Sequence, residues 1–190
     1  MTSGRSVWGK LLDGPSVMDS RFHLLDDGAL PGAWHTRGFD DRGVPPVPLT
    51  LVKDGRVDRS FLSITEAHAR GTRPTGHQSG DVIRPGNLLV RSGTRSVAAI
   101  LSEIGGDAFE VEHVLDWSGV DLSTAELDLP IIGSVRTSKG NGPPIREVRL
   151  RGNLIAALGK IVDIAGNTDR WRHVDAPGIL LDGLTIEALA

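Results

Sequence analysis

At 190 residues the chain is long enough for one domain and short for two, and a chain of that size buries roughly 70% of its unfolded surface without needing a disulfide or a metal. Its 24 acidic and 21 basic residues leave a formal net charge of −3, which disfavours nucleic acid and anionic membrane as partners. It has no cysteine, so a disulfide framework, a thiolate nucleophile and a Cys-ligated zinc are all excluded.

Taken in chain order, Phe22 to Asp26 is a short strand. Asp27 to Pro48 is dense in Gly, Pro and Asp and reads as a long ordered loop, a kind of segment that tends to be functional or to pack on a partner. Pro48 to Lys53 and Arg56 to Leu62 flank Asp54-Gly55, a dipeptide that tolerates the positive φ angles of a type I′ turn, so a hairpin is expected. Ser63 caps a short helix over Ile64 to Arg70, stopped by Gly71. Thr72 to Gly86 reads as loop and Asn87 to Arg91 as strand. Thr94 or Ser96 opens a helix with Val97, Ile100, Leu101 and Ile104 on one face and Gly105 at its end.

Ala108 to Trp117 alternates. This places Phe109, Val111, His113 and Leu115 on one face and Glu110, Glu112 and Val114 on the other. Leu129 to Arg136 and Ile145 to Leu150 are strands, with a turn expected at Asn141-Gly142 between them. A last helix is expected from Leu154 to Ile164, capped by Asn153 and ended by Gly166, with one or two strands from Gly178 to Ile186. Strands outnumber helices, which makes the class α+β, mainly antiparallel sheet with a few short helices, in a single domain over 1–190. No apolar run nears the roughly 18 residues of a membrane span, and the N-terminus has no signal-type apolar stretch. The expected compartment is the cytoplasm.

The six histidines are His23, His35, His68, His77, His113 and His173. No two are three or four residues apart, so none share a helix face as a zincin requires. A metal site assembled from His35, His77, His113 and a carboxylate stays open as a minor alternative. No Gly-x-Ser-x-Gly elbow occurs. Glu110 and Glu112 read as a solvated strand face before an acid–base pair, and Asp26-Asp27 as a turn-forming pair.

Several phrases, in order, resemble the TldD/PmbA family. They are Asp26-Asp27-Gly28-Ala29-Leu30-Pro31-Gly32, Phe39 to Pro45, Leu51 to Val57 and Pro74-Thr75-Gly76-His77. Ile145 to Val148, Arg151 to Leu154, Ile164 to Asp169 and Ala176 to Ile186 continue the series. The Thr75-Gly76-His77 form resembles the PmbA (TldE) branch. The resemblance implies a zinc peptidase working as a heterodimer. In it a TldD-like subunit holds zinc through a His-Glu-x-x-x-His helix and a cysteine, and a TldE-like subunit without those ligands completes the assembly on peptide substrates, natural-product precursors among them.

The sequence departs from that pattern. It has neither His-Glu-x-x-x-His nor the cysteine expected near Val174 to Gly178, and Asp121 to Gly133 replaces a Gly-rich strand. It also lacks the N-terminal half of a full-length member, which implies a trimmed member or one half of a split gene.

These features point to a non-catalytic TldE-like subunit with no cofactor of its own, zinc in its TldD-like partner, and neither nucleic acid nor membrane bound. Trp34, His35 and Phe39 are candidate contacts to partner or substrate, against the alternative that Trp34 and Phe39 cover this domain's own core. His77 either faces a shared cavity or bonds the backbone of its turn. His113 completes the candidate set. The different-class alternative is a metal-free peptide- or ligand-binding module in a biosynthetic pathway. A second alternative is an enzyme with His77 or His113 as general base.

Overall fold

A computed structural model describes residues 6–104, 107–137 and 140–188. Its helices are α1 (Val7–Leu11), α2 (Ile64–Ala69), α3 (Val97–Ile104) and α4 (Leu154–Leu158). Its strands are β1 (Leu24–Asp26), β2 (Leu49–Lys53), β3 (Arg56–Val57), β4 (Gln78–Ser79), β5 (Val82–Ile83), β6 (Leu88–Val90), β7 (Ala108–Val114), β8 (Glu126–Thr137), β9 (Gly140–Asn153), β10 (Ile161–Trp171), β11 (Val174–Leu181) and β12 (Thr185–Ala188). Strands dominate and nearly all pair antiparallel, as an α+β chain requires. No described helix is long and apolar enough to cross a membrane.

One sheet runs in the order β10-β11-β6-β1-β2-β3, a second in the order β12-β9-β8-β7, and β4-β5 form a ribbon. The β6–β11 pair is parallel. Each large sheet has its own core. Met18, Phe22, Val52, Val57, Leu158, Ile161 and Ile164 bury one; Leu127, Leu129, Ile131 and Val148 bury the other. Leu154, the first residue of α4, packs against both clusters and so joins the two cores.

Local chemistry explains the elements. The Asp54-Gly55 hairpin forms with φ of 50° and 71° at its two central residues, and Lys53 pairs with Arg56 across it. Its second arm ends at Val57, short of the Leu62 expected. Around α2 a full capping box forms: Ser63 Oγ accepts the Glu66 N–H at 3.2 Å and Glu66 Oε2 accepts the Ser63 N–H at 3.0 Å. Ser63→Ala is expected to cost about 1 kcal/mol, seen as a lower urea midpoint with an unchanged m-value.

Helix α3 forms where its periodicity places it, with Ile100 and Leu101 buried. The expected stop at Gly105 lies outside the described residues.

Three expectations are corrected. The last helix ends at Leu158, not Ile164, because Gly159 occupies its C-cap and the β-branched Ile161, Val162 and Ile164 that follow favour the extended β10. Asn153 still caps its start, accepting the Ala156 N–H at 3.0 Å. Asn141-Gly142 is not the turn: Thr137 pairs with Gly140 and Arg136 with Asn141, so both lie in β9, and residues 138–139 between the strands lie outside the described residues. Finally, the alternation of β7 breaks, because the register slips between Val111 and His113. Val114 instead joins Phe109 against the second core, and His113 is left exposed on the opposite face. A one-residue slip of this kind exchanges the faces of everything beyond it.

Candidate functional site

The site grows from the end of β1. Asp26 closes a strand whose neighbours are apolar, and its carboxylate is fully buried. Burying a charge is costly unless it is bonded on every side. Here Oδ2 accepts the Gly86 N–H at 2.7 Å and Oδ1 lies 2.6 Å from His77 Nε2. The imidazole is also fully buried, and Phe61 tilts against it with centroids 4.7 Å apart. Its Nδ1 has no hydrogen-bond partner among the described residues.

The neighbours of His77 explain its position. Thr75 is clipped to Leu62: its Oγ1 accepts the Leu62 N–H at 3.0 Å. Gly76 has φ +73°, and a Cβ there would stand 2.3 Å from the Pro45 carbonyl oxygen. Only glycine allows that left-handed turn against another backbone, and the turn delivers His77 to Asp26. Gly28 and Gly86 meet in the same way, since a Cβ on Gly86 would stand 2.5 Å from Gly28 Cα.

The long loop from Asp27 to Pro48 contains no helix or strand, yet it is tied down at several points. Asn87, buried, donates to the Asp27 carbonyl at 2.8 Å and accepts the His35 N–H at 2.9 Å. Asp40, also buried, accepts from Arg42, Val44 and Gln78 N–H groups at 2.9, 3.0 and 3.0 Å. Burial alone would raise the Asp40 carboxyl, but those three N–H groups outweigh it and hold it below the usual carboxylate range. Asp41 Oδ2 accepts the Gly80 N–H at 2.8 Å. Arg37 donates to the carbonyls of Gly76 and Arg84. The loop is therefore ordered by buried polar bonds in place of an apolar core.

Between the loop and the β4–β5 ribbon lies an open cleft of about 280 Å³, walled by His35, Arg37, Asp40, Gln78, Ser79 and Arg84 among others. His35 stacks on His173 from the β10–β11 hairpin, centroids 4.2 Å apart and planes within 6°. Burial, then electrostatic interaction with His35 and Arg172, holds the His173 imidazole below its ordinary value.

Of the five residues proposed from sequence, His35 and His77 meet at this cleft. Trp34 and Phe39 ride on the same loop and are 73% and 68% exposed, so neither covers the domain's own core. His113 stands apart on β7. Glu110 and Glu112 are engaged by Arg136 and Ser134 respectively. Sequence reasoning missed Asp26, Asn87 and His173. Asp26 alone left a signal: an acid at the end of the apolar run Phe22 to Leu25, where burial demands a partner.

Zinc ligation does not fit these residues. Among the described residues no group of three or more His, Cys, Asp or Glu converges. The stacked His35 and His173 hold their lone pairs in two nearly parallel planes, which cannot meet at one ion. Among the described residues no nucleophile is bonded to His77 Nδ1.

Fold and site thus define a β-rich α+β domain in which a buried Asp–His pair braces a loop-walled cleft without a metal ligand set among the described residues. Residues 1–188 match the PmbA/TldA metallopeptidase C-terminal domain. The chain belongs to the PmbA/TldD metallopeptidase family.

A metalloprotease of Synechocystis sp. is 28% identical over 150 residues, covering 75% of this chain and 31% of the relative. The chain therefore spans about a third of the length of the curated relative it matches. Among solved structures, a candidate DNA gyrase modulator of Thermotoga maritima superposes with a TM-score of 0.87 at 23% identity, over 97% of this chain and 43% of that one. TldE from Thermococcus kodakarensis superposes with a TM-score of 0.76 at 17% identity, over 91% of this chain and 41% of that one. These likenesses establish the fold.

Proposed function

We propose that this chain is the metal-free, TldE-like part of a heteromeric zinc metallopeptidase, acting in the cytoplasm with a TldD-like partner that cleaves peptides, natural-product precursors among them. The family supplies the metallopeptidase context. The observation that carries the reading is the loop from Asp27 to Pro48. It is immobilised by the buried Asp26, Asn87 and Asp40, yet it holds Trp34 and Phe39 out in solvent at 73% and 68% exposure. Large aromatics presented on a rigid frame match the composition of interface anchors, because little side-chain entropy is lost on docking. In the partner, zinc would polarise the scissile carbonyl and activate water. The residues of this chain would wall the chamber and orient the peptide at the cleft.

The test is to tag the chain in its own host, purify it gently, identify the co-purifying proteins and count metal. A partner bearing a His-Glu-x-x-x-His helix, with one zinc per complex, is expected. The pair Trp34→Ala and Phe39→Ala is expected to weaken that complex about thirtyfold or more, the scale of a lost hot spot. A lone, metal-free protein overturns the reading. It would leave the cleft as the working part of a metal-free ligand-binding module.

A further inference from the structure

We propose that the cleft between the Asp27–Pro48 loop and the β4–β5 ribbon binds the C-terminal residue of a peptide, its free carboxylate against Arg84 and Arg37 and its amide N–H on Gln78. This deepens the proposed function by giving the chain a role in substrate choice. The cleft measures about 280 Å³, just below the roughly 300–1,000 Å³ of pockets that enclose drug-sized ligands. That volume suits one or two residues at a chain end, not the middle of a long peptide.

The wall chemistry selects the group. Arg84 lines the cleft. Its backbone N–H and C=O are used, by the His77 carbonyl at 2.9 Å and by Arg37 at 3.2 Å. Among the described residues no hydrogen bond or ion pair engages its guanidinium, so a cation stands exposed on a fixed backbone. Arg37 is held by two carbonyls through one terminal nitrogen, Nη2, and its other guanidinium N–H groups remain for a ligand.

The acids of the same wall do not neutralise these cations by contact. Asp40 Oδ1 accepts two backbone N–H groups and Oδ2 one, with Arg37 near enough for its charge to lower that carboxyl but not hydrogen-bonded to it, and one Asp41 oxygen is taken by Gly80. Two guanidinium groups beside one opening favour a carboxylate, whose paired oxygens match their N–H geometry.

Gln78 supplies the second recognition element. Its Oε1 is buried without a hydrogen-bond partner among the described residues, a state that costs stability until a donor arrives. Its amide is held by one long bond, Nε2 to the Gly80 carbonyl at 3.3 Å, so it can turn toward the cleft at low cost. An acceptor beside a carboxylate site is the pattern needed by a terminal residue, which carries an amide N–H next to its carboxylate. A simple anion satisfies the arginines but not Gln78.

The probe is N-acetyl-Ala-Ala-Ala with a free carboxylate, titrated calorimetrically into the full chain at pH 7 and compared with its C-terminal carboxamide. The free acid is expected to bind at least tenfold more tightly. Arg84→Gln should remove most of that preference and leave the weak carboxamide affinity unchanged. Gln78→Leu should weaken both peptides while acetate binding stays as it was. Equal affinity for acid and carboxamide, a preference that survives Arg84→Gln, or no binding of either at millimolar concentration overturns the proposal.

The titration needs no partner subunit. Discrimination without a co-purifying peptidase would keep the cleft and discard the heteromeric reading, and a zinc-bearing complex without discrimination would do the reverse.

Discussion

His77→Ala is expected to destabilise the chain by about 3–5 kcal/mol, a large share of the total for a domain of this size. The reason is what the substitution leaves behind. With the imidazole gone, the Asp26 carboxylate keeps only the Gly86 N–H at 2.7 Å in a position with no exposed surface. The loss therefore has two parts, a cavity beside Phe61 and an uncompensated buried charge, and the second can be separated. Adding Asp26→Asn to His77→Ala removes the charge while keeping an oxygen for the Gly86 N–H. The double variant is expected to be more stable than His77→Ala alone. Urea unfolding of the four members of this cycle reads it, and a strictly additive cycle would sink the claim that the charge dominates.

Gly76→Ala is the second large effect, at roughly 2–5 kcal/mol. About 1–2 kcal/mol comes from placing an alanine in the left-handed region, at φ +73°. The remaining 1–3 kcal/mol comes from overpacking, because the new Cβ would stand 2.3 Å from the Pro45 carbonyl oxygen and 2.5 Å from Pro46 N. Both are backbone atoms that cannot rotate away. Gly80→Ala separates the two terms, since Gly80 has φ +58° with nothing within 4 Å of the added Cβ. It should lose the dihedral part only. Gly76→Ala should also displace His77 from Asp26, visible as a shifted imidazole resonance, whereas Gly80→Ala should not. Equal costs for the two variants would count against the close approach to Pro45.

How far the sequence announced this structure depends on the range of each interaction. The Asp54-Gly55 hairpin, the Ser63 cap and the Ile100/Leu101 face depend on residues within a few positions of one another, and each formed where its local chemistry places it. The stretch from Leu154 misled because an apolar 3.6-residue spacing and an extended buried strand share the same residues, and Gly159 broke the tie. The faces of β7 misled because a register slip cannot be read from alternation.

At the site, the Thr75-Gly76-His77 turn carries a local signal. The partner of His77, however, lies 51 residues away at Asp26, in what reads as a turn-forming acidic pair. His173 reaches His35 only after β11 has joined β6, and nothing near either histidine in the chain points to the other.

That β6–β11 pairing also orders events in time. Leu88 waits for Val174, and Leu89 for Asp175, to complete the parallel seam. The β7–β8 and β8–β9 hairpins need only neighbouring segments. Contacts of long sequence separation form late, because the intervening chain must be closed first. During synthesis the four-stranded sheet can assemble its hairpins while β1, β2 and β6 still expose an unfinished edge. The edge of β6 therefore stays without its β11 neighbour until Val174 and Asp175 are free to pair with it.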